Sequence, residues 1–249
     1  MKQGRDGEAT NKAERLSLRR VTPLAVIAAA VLLFFALGLD QYLSFEALKE
    51  NRHALLDWRD RNPIAAVLVY IIGYIVAVAL SLPGAIWLTI GGGFVFGTLF
   101  ATLYAIVAAT IGATLVFILA RYALGDYLRS KAGPTIRKME SGFRENALSY
   151  LLFLRLMPIF PFWLVNLAPA FLGVRLSTFM IGTFLGVIPG SFVYASVGNG
   201  LGAVIDAGER PDLSIIFDPA IIGPIIGLAI FALLPVAYKF IKAGDPKEP

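Results

Sequence analysis

The sequence predicts an all-α polytopic membrane protein, built from inverted repeats that each hold a re-entrant hairpin and a transmembrane helix, with an amphipathic connector helix between them. Two observations lead to this prediction. Of the 249 residues, 57% are hydrophobic and only 16% are charged, and the mean hydropathy is +0.73. Long uncharged runs alternate with polar segments, and two of the apolar stretches contain turn-forming residues where a straight span would be expected.

The charge and residue inventory excludes several classes of function. The net charge is +5, and the basic residues flank apolar runs, which is typical of membrane orientation and not of nucleic-acid binding. The chain has no cysteine and a single histidine, His53, so thiolate chemistry and a His-rich metal cage are excluded. The apolar segments contain no nucleophile–base pair. We therefore expect no catalytic residues, no metal, no cofactor and no nucleic-acid partner.

The alternation of polar and apolar segments divides the chain into four units. We expect a disordered cytoplasmic tail at residues 1–20, an N-terminal transmembrane helix and external amphipathic segment at 21–62, a membrane domain with two hairpins at 63–202, and an external loop, last transmembrane helix and cytoplasmic tail at 203–249.

The second unit begins with an uncharged run, Val21–Leu39, that is long enough to cross a membrane. A cleaved signal peptide remains an alternative, because Ala36 and Gly38 offer small residues at a cleavage spacing. The polar segment Asp40–Asn62 carries apolar residues close to helical spacing, which predicts an amphipathic helix on the outer surface. His53 there is expected to contact lipid headgroups, with a proton relay as the alternative.

The first hairpin is predicted from its turn residues. Pro83-Gly84 forces a turn after an apolar run, and the apolar segment that follows ends at Gly97 and is too short to cross comfortably. Within it, Gly91, Gly92 and Gly93 disfavour regular helix and permit close backbone approach. The next segment, Thr98–Ala120, is uncharged and predicts a straightforward span, with Gly112 midway where another helix can pack closely.

The second hairpin, Phe153–Gly173, is apolar but contains three prolines, Pro158, Pro161 and Pro169, which should break it into short pieces. Broken backbone at membrane depth is tolerated only inside protein or beside a wet cavity. Arg155 and Asn166 lie within this segment and are candidates for a polar site.

Between the hairpins, residues 121–150 are basic. Ile136, Met139, Phe143 and Ala147 recur every three or four residues, which predicts a helix on the membrane surface, with a solvated linker helix as the alternative.

Two further spans are expected, Leu176–Val197 and Ala220–Ile241. Gly182, Gly186 and Gly190 form a ridge in the first of these, for packing inside the monomer or, alternatively, at a homodimer interface.

The basic and acidic loops alternate. Placing both termini and residues 121–150 in the cytoplasm, and residues 40–62 and 198–219 outside, satisfies the positive-inside rule only if residues 63–97 make no net crossing. Phe96-Gly97 and Leu172-Gly173 also correspond at an offset of 76 residues. Each unit is then a hairpin, a tight glycine turn and a span, and the two units have opposite orientation.

These motifs resemble a known family. The GGGFVFG segment, the basic connector and the RLMPIFPFWLVN and APAFLGV blocks are similar to the DedA superfamily, also called the VTT-domain or SNARE-associated Golgi protein family, over about Leu80–Gly202. The first hairpin matches the family pattern at Gly93, Phe96 and Gly97. The second hairpin matches it at the following residues: Arg155, Pro158, Pro161 and Asn166.

The resemblance implies a multi-pass protein of a bacterial inner membrane that moves lipids, such as phospholipid or undecaprenyl phosphate, as a flippase or scramblase. Membrane lipids with an anionic headgroup would be its partners. Many proton-coupled bacterial members have essential acidic residues near the first hairpin, whereas Pro63–Ala120 contains no charged residue. This difference places the chain nearer the yeast-vacuolar-type subgroup.

Arg155 is the expected headgroup ligand, since a guanidinium presents a fork of donors that suits phosphate. The alternative is an anchor that snorkels to the cytoplasmic interface. For the whole chain, a small-solute or ion transporter and a non-transporting membrane scaffold or assembly factor remain alternative functions.

Overall fold

The computed structural model of the chain describes residues 28–38, 41, 45–82, 85–131, 143, 145–157, 159–206 and 218–243. Within these segments the regular structure is helical, which confirms the predicted all-α class. The helices are α1 (28–36), α2 (Phe45–Glu50), α3 (Arg52–Arg61), α4 (Pro63–Ala79), α5 (Ala85–Phe96), α6 (Thr98–Lys131), α7 (Ala147–Leu156), α8 (Phe162–Phe171), α9 (Leu176–Asp206) and α10 (Pro219–Ala243).

Three helices are long and apolar enough to cross a membrane: Thr98–Ala123 within α6, Leu176–Leu201 within α9 and Ile221–Tyr238 within α10. The helices α3 and α4 are bent by 119° relative to each other and would count as a fourth if taken as one span. Much of the predicted span Val21–Leu39 is helical in α1, while its residues 21–27 lie outside the described part of the chain.

One face of α6 shows how the protein meets lipid. Leu99, Leu103, Val107, Ile111 and Leu115 recur every four residues, and each is exposed by at least 43% of its surface. The opposite face of α6, which is rich in alanine, is buried. A continuous exposed apolar stripe of this length is unfavourable in water but matches lipid tails. The chain is therefore a membrane protein.

The core of the molecule is the antiparallel pair of α6 and α9. The rings of Phe117 and Phe179 stack with their centroids 4.5 Å apart. Gly97, at the start of α6, lies beside Asn199, near the end of α9. The two long helices therefore run in opposite directions, as the predicted inverted repeat requires.

The shorter helices cross between the two repeats. In each repeat the first arm packs on its own long helix, so that α4 lies on α6 and α7 lies on α9. The second arm packs on the long helix of the other repeat, so that α5 lies on α9 and α8 lies on α6. The two repeats therefore form one interlocked unit.

The helix α5 folds back along α4, as a hairpin requires. The rings of Tyr70 and Phe96 are 5.3 Å apart, and the hydroxyl groups of Tyr74 and Thr89 are 2.9 Å apart. A later residue of α4 thus meets an earlier residue of α5. The predicted turn at Pro83-Gly84 lies outside the described residues.

Two predictions about helix breaks were wrong. Gly91, Gly92 and Gly93 lie inside the regular helix α5, because tertiary packing outweighs the low helix propensity of glycine. Pro169 lies inside α8 and is fully buried there, so it does not break the helix. Pro161 does precede α8, at its N-cap, and Pro158 lies outside the described residues.

Several predicted boundaries also shift. The helix α6 continues past Ala120 to Lys131, because the residues that follow the apolar run are good helix formers. The second hairpin begins at Ala147 and not at Phe153, so Ala147 belongs to α7 and not to the connector helix. The connector residues 132–142 lie outside the described part of the chain. The predicted single helix in 40–62 is two helices, α2 and α3, separated at Asn51.

Candidate functional site

Arg155 lies in the last turn of α7, next to the turn of the second hairpin. Its Nη2 donates a hydrogen bond to Oγ1 of Thr183 on α9, at 3.0 Å. The guanidinium carbon lies 5.7 Å from the ring centroid of Phe162 and 5.6 Å from that of Phe179. Two aromatic faces and one hydroxyl group therefore hold the cation in place.

The remaining donors of Arg155 are not all used. Its Nε is buried and has no hydrogen-bond partner among the described residues. Among the residues that the structure describes, no carboxylate lies within ion-pair distance of the Arg155 guanidinium. A partly buried cation without a counter-ion is costly in an apolar setting, and it retains the capacity to bind an anion.

Asn166 is the second polar group of this hairpin. It is fully buried at 0% exposure, and neither its Nδ2 nor its Oδ1 has a partner in the described part of the chain. It lies one helical turn after Phe162 on α8, so the two side chains lie on the same side of that helix. A buried amide without hydrogen bonds costs about 1–3 kcal/mol. Such a group therefore needs an explanation other than stability.

The first hairpin contains polar groups that are paired. The hydroxyl group of Tyr70 donates to the carbonyl of Leu88 at 3.1 Å, and the hydroxyl group of Tyr74 is paired with that of Thr89. Phe96 packs against Tyr70 at the end of α5. These contacts join the two arms of the hairpin to each other.

The predicted glycines serve as points of close approach. A Cβ atom at Gly91 would lie 3.2 Å from Cδ1 of Leu48, and one at Gly92 would collide with the Tyr70 ring. A Cβ atom at Gly93 would overlap the backbone carbonyl of Ala195 on α9.

The glycine ridge of α9 faces α7. Hypothetical Cβ atoms at Gly182 and Gly186 would lie 2.9 Å and 2.6 Å from the Cβ atoms of Leu151 and Arg155. Among the described residues, a Cβ atom at Gly190 would have only the ring of Tyr194 nearby, at 4.0 Å and one turn later on the same helix. The first two glycines therefore pack inside the monomer, and Gly190 does not share this contact.

Gly97 and Gly173, which were predicted to end the hairpins, both adopt left-handed backbone with φ of 77° and 68°. An arginine binds a carbonyl group beside each turn. Arg59 donates from Nη1 to the carbonyl of Val95, and Arg121 donates from Nη1 to the carbonyl of Val174 at 2.9 Å. Arg59, Arg121 and Thr183 were not predicted as site residues.

The signal that could have identified the two arginines is their position at the ends of apolar runs. Sequence reasoning assigned such charges to membrane orientation alone. Among the described residues, no group of three or more His, Cys, Asp or Glu side chains could hold a metal ion.

Comparison with known proteins identifies the family. Residues 82–200 match the VTT domain. Transmembrane protein 41B of Mus musculus is 30% identical over 74% of this chain and 62% of its own length, and that of Gallus gallus is 30% identical over 74% and 68%. Transmembrane protein 41 homolog of Caenorhabditis elegans is 29% identical over 79% and 78%.

The match thus spans less than two thirds of the mouse relative, and no solved structure matches the chain. The matched region includes α5, the whole second hairpin, α6 and most of α9, while α4 lies before it. The chain belongs to the VTT-domain family, within the DedA superfamily.

Proposed function

We propose that the chain translocates lipids, with an anionic headgroup passing along the second hairpin while the acyl tails stay in the bilayer. The observation that carries this proposal is the pair of buried polar groups with unused hydrogen-bonding capacity, Arg155 and Asn166. A guanidinium donates two parallel hydrogen bonds to a phosphate and keeps its charge in an apolar setting. The amide of Asn166 offers a donor and an acceptor to the same headgroup.

The position of Arg155 along α9 supports this role. Arg155 packs against Gly186, ten residues after the start of α9 at Leu176. At 1.5 Å per residue this is about 15 Å along the helix, or about half of a hydrocarbon core of about 30 Å. A cation at that depth, held between two aromatic rings, is a poor candidate for snorkelling to the interface.

The proposed mechanism gives each group a limited task. Arg155 replaces part of the water that a phosphate loses when it leaves the interface, and Thr183 and the two rings fix the guanidinium so that it does not follow the headgroup outward. The proposed path runs along the second hairpin, between the two repeats.

The test is transport of a fluorescent phosphatidylglycerol analogue by the purified full chain in liposomes. We expect Arg155→Ala to lower the rate by about tenfold or more, because a hydrogen bond to a charged group contributes about 1.5–3 kcal/mol and about 1.4 kcal/mol changes a rate tenfold. We also expect Arg155→Lys to be impaired, since an ammonium lacks the planar fork.

The matched control is Arg175→Ala, which removes an exposed arginine just before α9. It should transport as the wild type does. All variants are first compared for insertion and thermal unfolding. Full activity of Arg155→Lys would reduce Arg155 to a cationic anchor, and full activity of Arg155→Ala would exclude it from transport.

We further propose that the protein lies in a bacterial inner membrane with both termini in the cytoplasm, since this satisfies the positive-inside rule. The chain lacks cysteine, so single cysteines can be placed cleanly at Arg61 and Glu145, both exposed. An impermeant maleimide should label Arg61→Cys in intact cells and Glu145→Cys only after lysis. The reverse pattern would contradict the orientation.

A further inference from the structure

A cavity of about 350 Å³ lies at the mouth of the first hairpin, away from the Arg155 site. Its wall includes Arg59 and Asp60 from α3, Phe96 from α5, and Phe100 and Tyr104 from α6. Pro63 and Val67 of α4 also line it, so four helices meet there. The cavity combines both signs of charge with aromatic rings, which is unlike the apolar surface of α6 beyond it.

The two charged residues of the cavity are neighbours with different surroundings. Arg59 donates from Nε to Oδ1 of Asp60 at 2.8 Å and from Nη1 to the carbonyl of Val95. The guanidinium is thereby fixed at the C-terminal end of α5, where the helix dipole favours a cation. Asp60 stays 65% exposed, and its Oδ2 has no partner in the described part of the chain.

The aromatic wall suits an ammonium group. The rings of Phe96 and Tyr104 lie edge to face with centroids 5.6 Å apart, and those of Phe100 and Tyr104 lie 6.2 Å apart at 28°. Aromatic rings attract ammonium cations through their π faces. The free oxygen of Asp60 at the same cavity adds a negative charge.

The opposite part of the cavity suits a phosphate. Phe100 lies in the first turn of α6, so the cavity lies beside the N-terminal end of this long helix. Backbone N–H groups and the helix dipole favour an anion there. The Arg59 guanidinium supplies a charged donor beside it.

We propose that this cavity binds the zwitterionic headgroup of an ammonium-bearing phospholipid, with the phosphate at Arg59 and the ammonium between Asp60 and the aromatic rings. The occupant is a lipid and not a free phosphodiester, because the exposed side chain of Phe100 continues the lipid-facing surface of α6. This lipid site is separate from the proposed transport path in the second hairpin, and its binding is measured on its own.

The experiment is native mass spectrometry of the full chain in detergent with equal amounts of phosphatidylethanolamine, phosphatidylcholine and phosphatidylglycerol. We expect the first two lipids to be bound about fivefold or more over the third, since a cation–π contact with a desolvated ammonium contributes about 1–2 kcal/mol. Asp60→Asn should bring the ratio of bound ammonium-bearing lipid to bound phosphatidylglycerol close to one. Arg59→Gln should weaken binding of all three lipids. Phe100→Leu should lower the binding of the ammonium-bearing lipids only.

The control variants Asp57→Asn and Arg61→Gln remove the same charges from exposed positions of α3 outside the cavity. They should keep the wild-type preference. Equal binding of all three lipids by the wild type, or equal effects of Asp57→Asn and Asp60→Asn, would overturn the proposal. Competition by soluble glycerophosphoethanolamine at the same concentration would overturn the assignment to a lipid.

One more variant tests whether this site is separate from the proposed transport site. Arg155→Ala should keep the lipid preference, because it lies in the other hairpin. Loss of the preference in that variant would contradict two separate sites. A normal preference in a wild-type chain that transports no lipid would contradict the proposed function alone.

Discussion

In the first hairpin, the hydroxyl groups of Tyr70 and Tyr74 bond to groups on the opposite arm, whereas in the second hairpin neither amide atom of Asn166 finds a partner among the described residues. The Nε of Arg155 is also buried without a hydrogen-bond partner among these residues. Each hairpin belongs to one of the two inverted repeats, and the two pack on the long helices in corresponding ways. The difference therefore lies in their side chains and not in their architecture.

Corresponding positions make the difference specific. In the first repeat, the glycine of the long helix, Gly112, packs against Val78, with 2.7 Å between a hypothetical Cβ atom and Cβ of Val78. In the second repeat, Gly186 packs against Arg155 in the same way, at 2.6 Å. The residue that packs on this glycine is thus a fully buried valine in the first repeat and an arginine in the second.

A second pair follows from the left-handed glycines. Ile90 lies seven residues before Gly97, and Asn166 lies seven residues before Gly173. Ile90 is 1% exposed and Asn166 is 0% exposed. The first repeat shows that an apolar residue fits such a position, so the polar residues of the second repeat are not required for packing. We infer that the first hairpin mainly supports the fold and the second carries the transport site.

The largest effect is expected from a substitution that disrupts the packing of the first hairpin. Gly93→Ala should prevent folding, because the added Cβ would overlap the backbone carbonyl of Ala195, which cannot turn aside as a side chain can. Gly190→Ala is the matched control and should fold normally, since only the Tyr194 ring lies near it. Yield of monodisperse protein and thermal unfolding in detergent measure both. Normal folding of Gly93→Ala would disprove the close approach of α5 and α9.

A smaller effect tests the supporting role of the first hairpin. Tyr74→Phe removes the hydrogen bond to Thr89 and should lower the free energy of unfolding by about 1 kcal/mol, while transport stays near the wild-type rate. Tyr122→Phe, at an exposed position, should change neither quantity. A transport defect in Tyr74→Phe without a loss of stability would give the first hairpin a direct part in transport.

Much of the fold could be predicted because its signals are local. The length of the apolar runs gives the spans, and Gly97 and Gly173 end the hairpins since a turn there needs left-handed backbone. The helical state of Gly91–Gly93 could not be predicted, because it depends on non-local contacts: Gly91 meets Leu48, Gly92 meets Tyr70 and Gly93 meets Ala195 of α9.

The site was predictable in part for the same reason. Arg155 and Asn166 stand out as polar residues in an apolar, proline-rich segment. Their partners do not, since Thr183 is 28 residues from Arg155 and belongs to another helix. Asp60 looked like an ordinary surface charge until the fold placed it beside the rings of Phe96 and Tyr104.

The central claim is that the polar groups of the second hairpin serve transport at a cost in stability, and Asn166→Leu tests it most directly. Replacing an unpaired buried amide by an apolar side chain of similar size should leave thermal unfolding unchanged or raise the free energy of unfolding by about 1–3 kcal/mol. Lipid transport by the same preparation in liposomes should fall by about tenfold. A stable variant with full transport, or a variant that loses stability and transport together, would contradict the account.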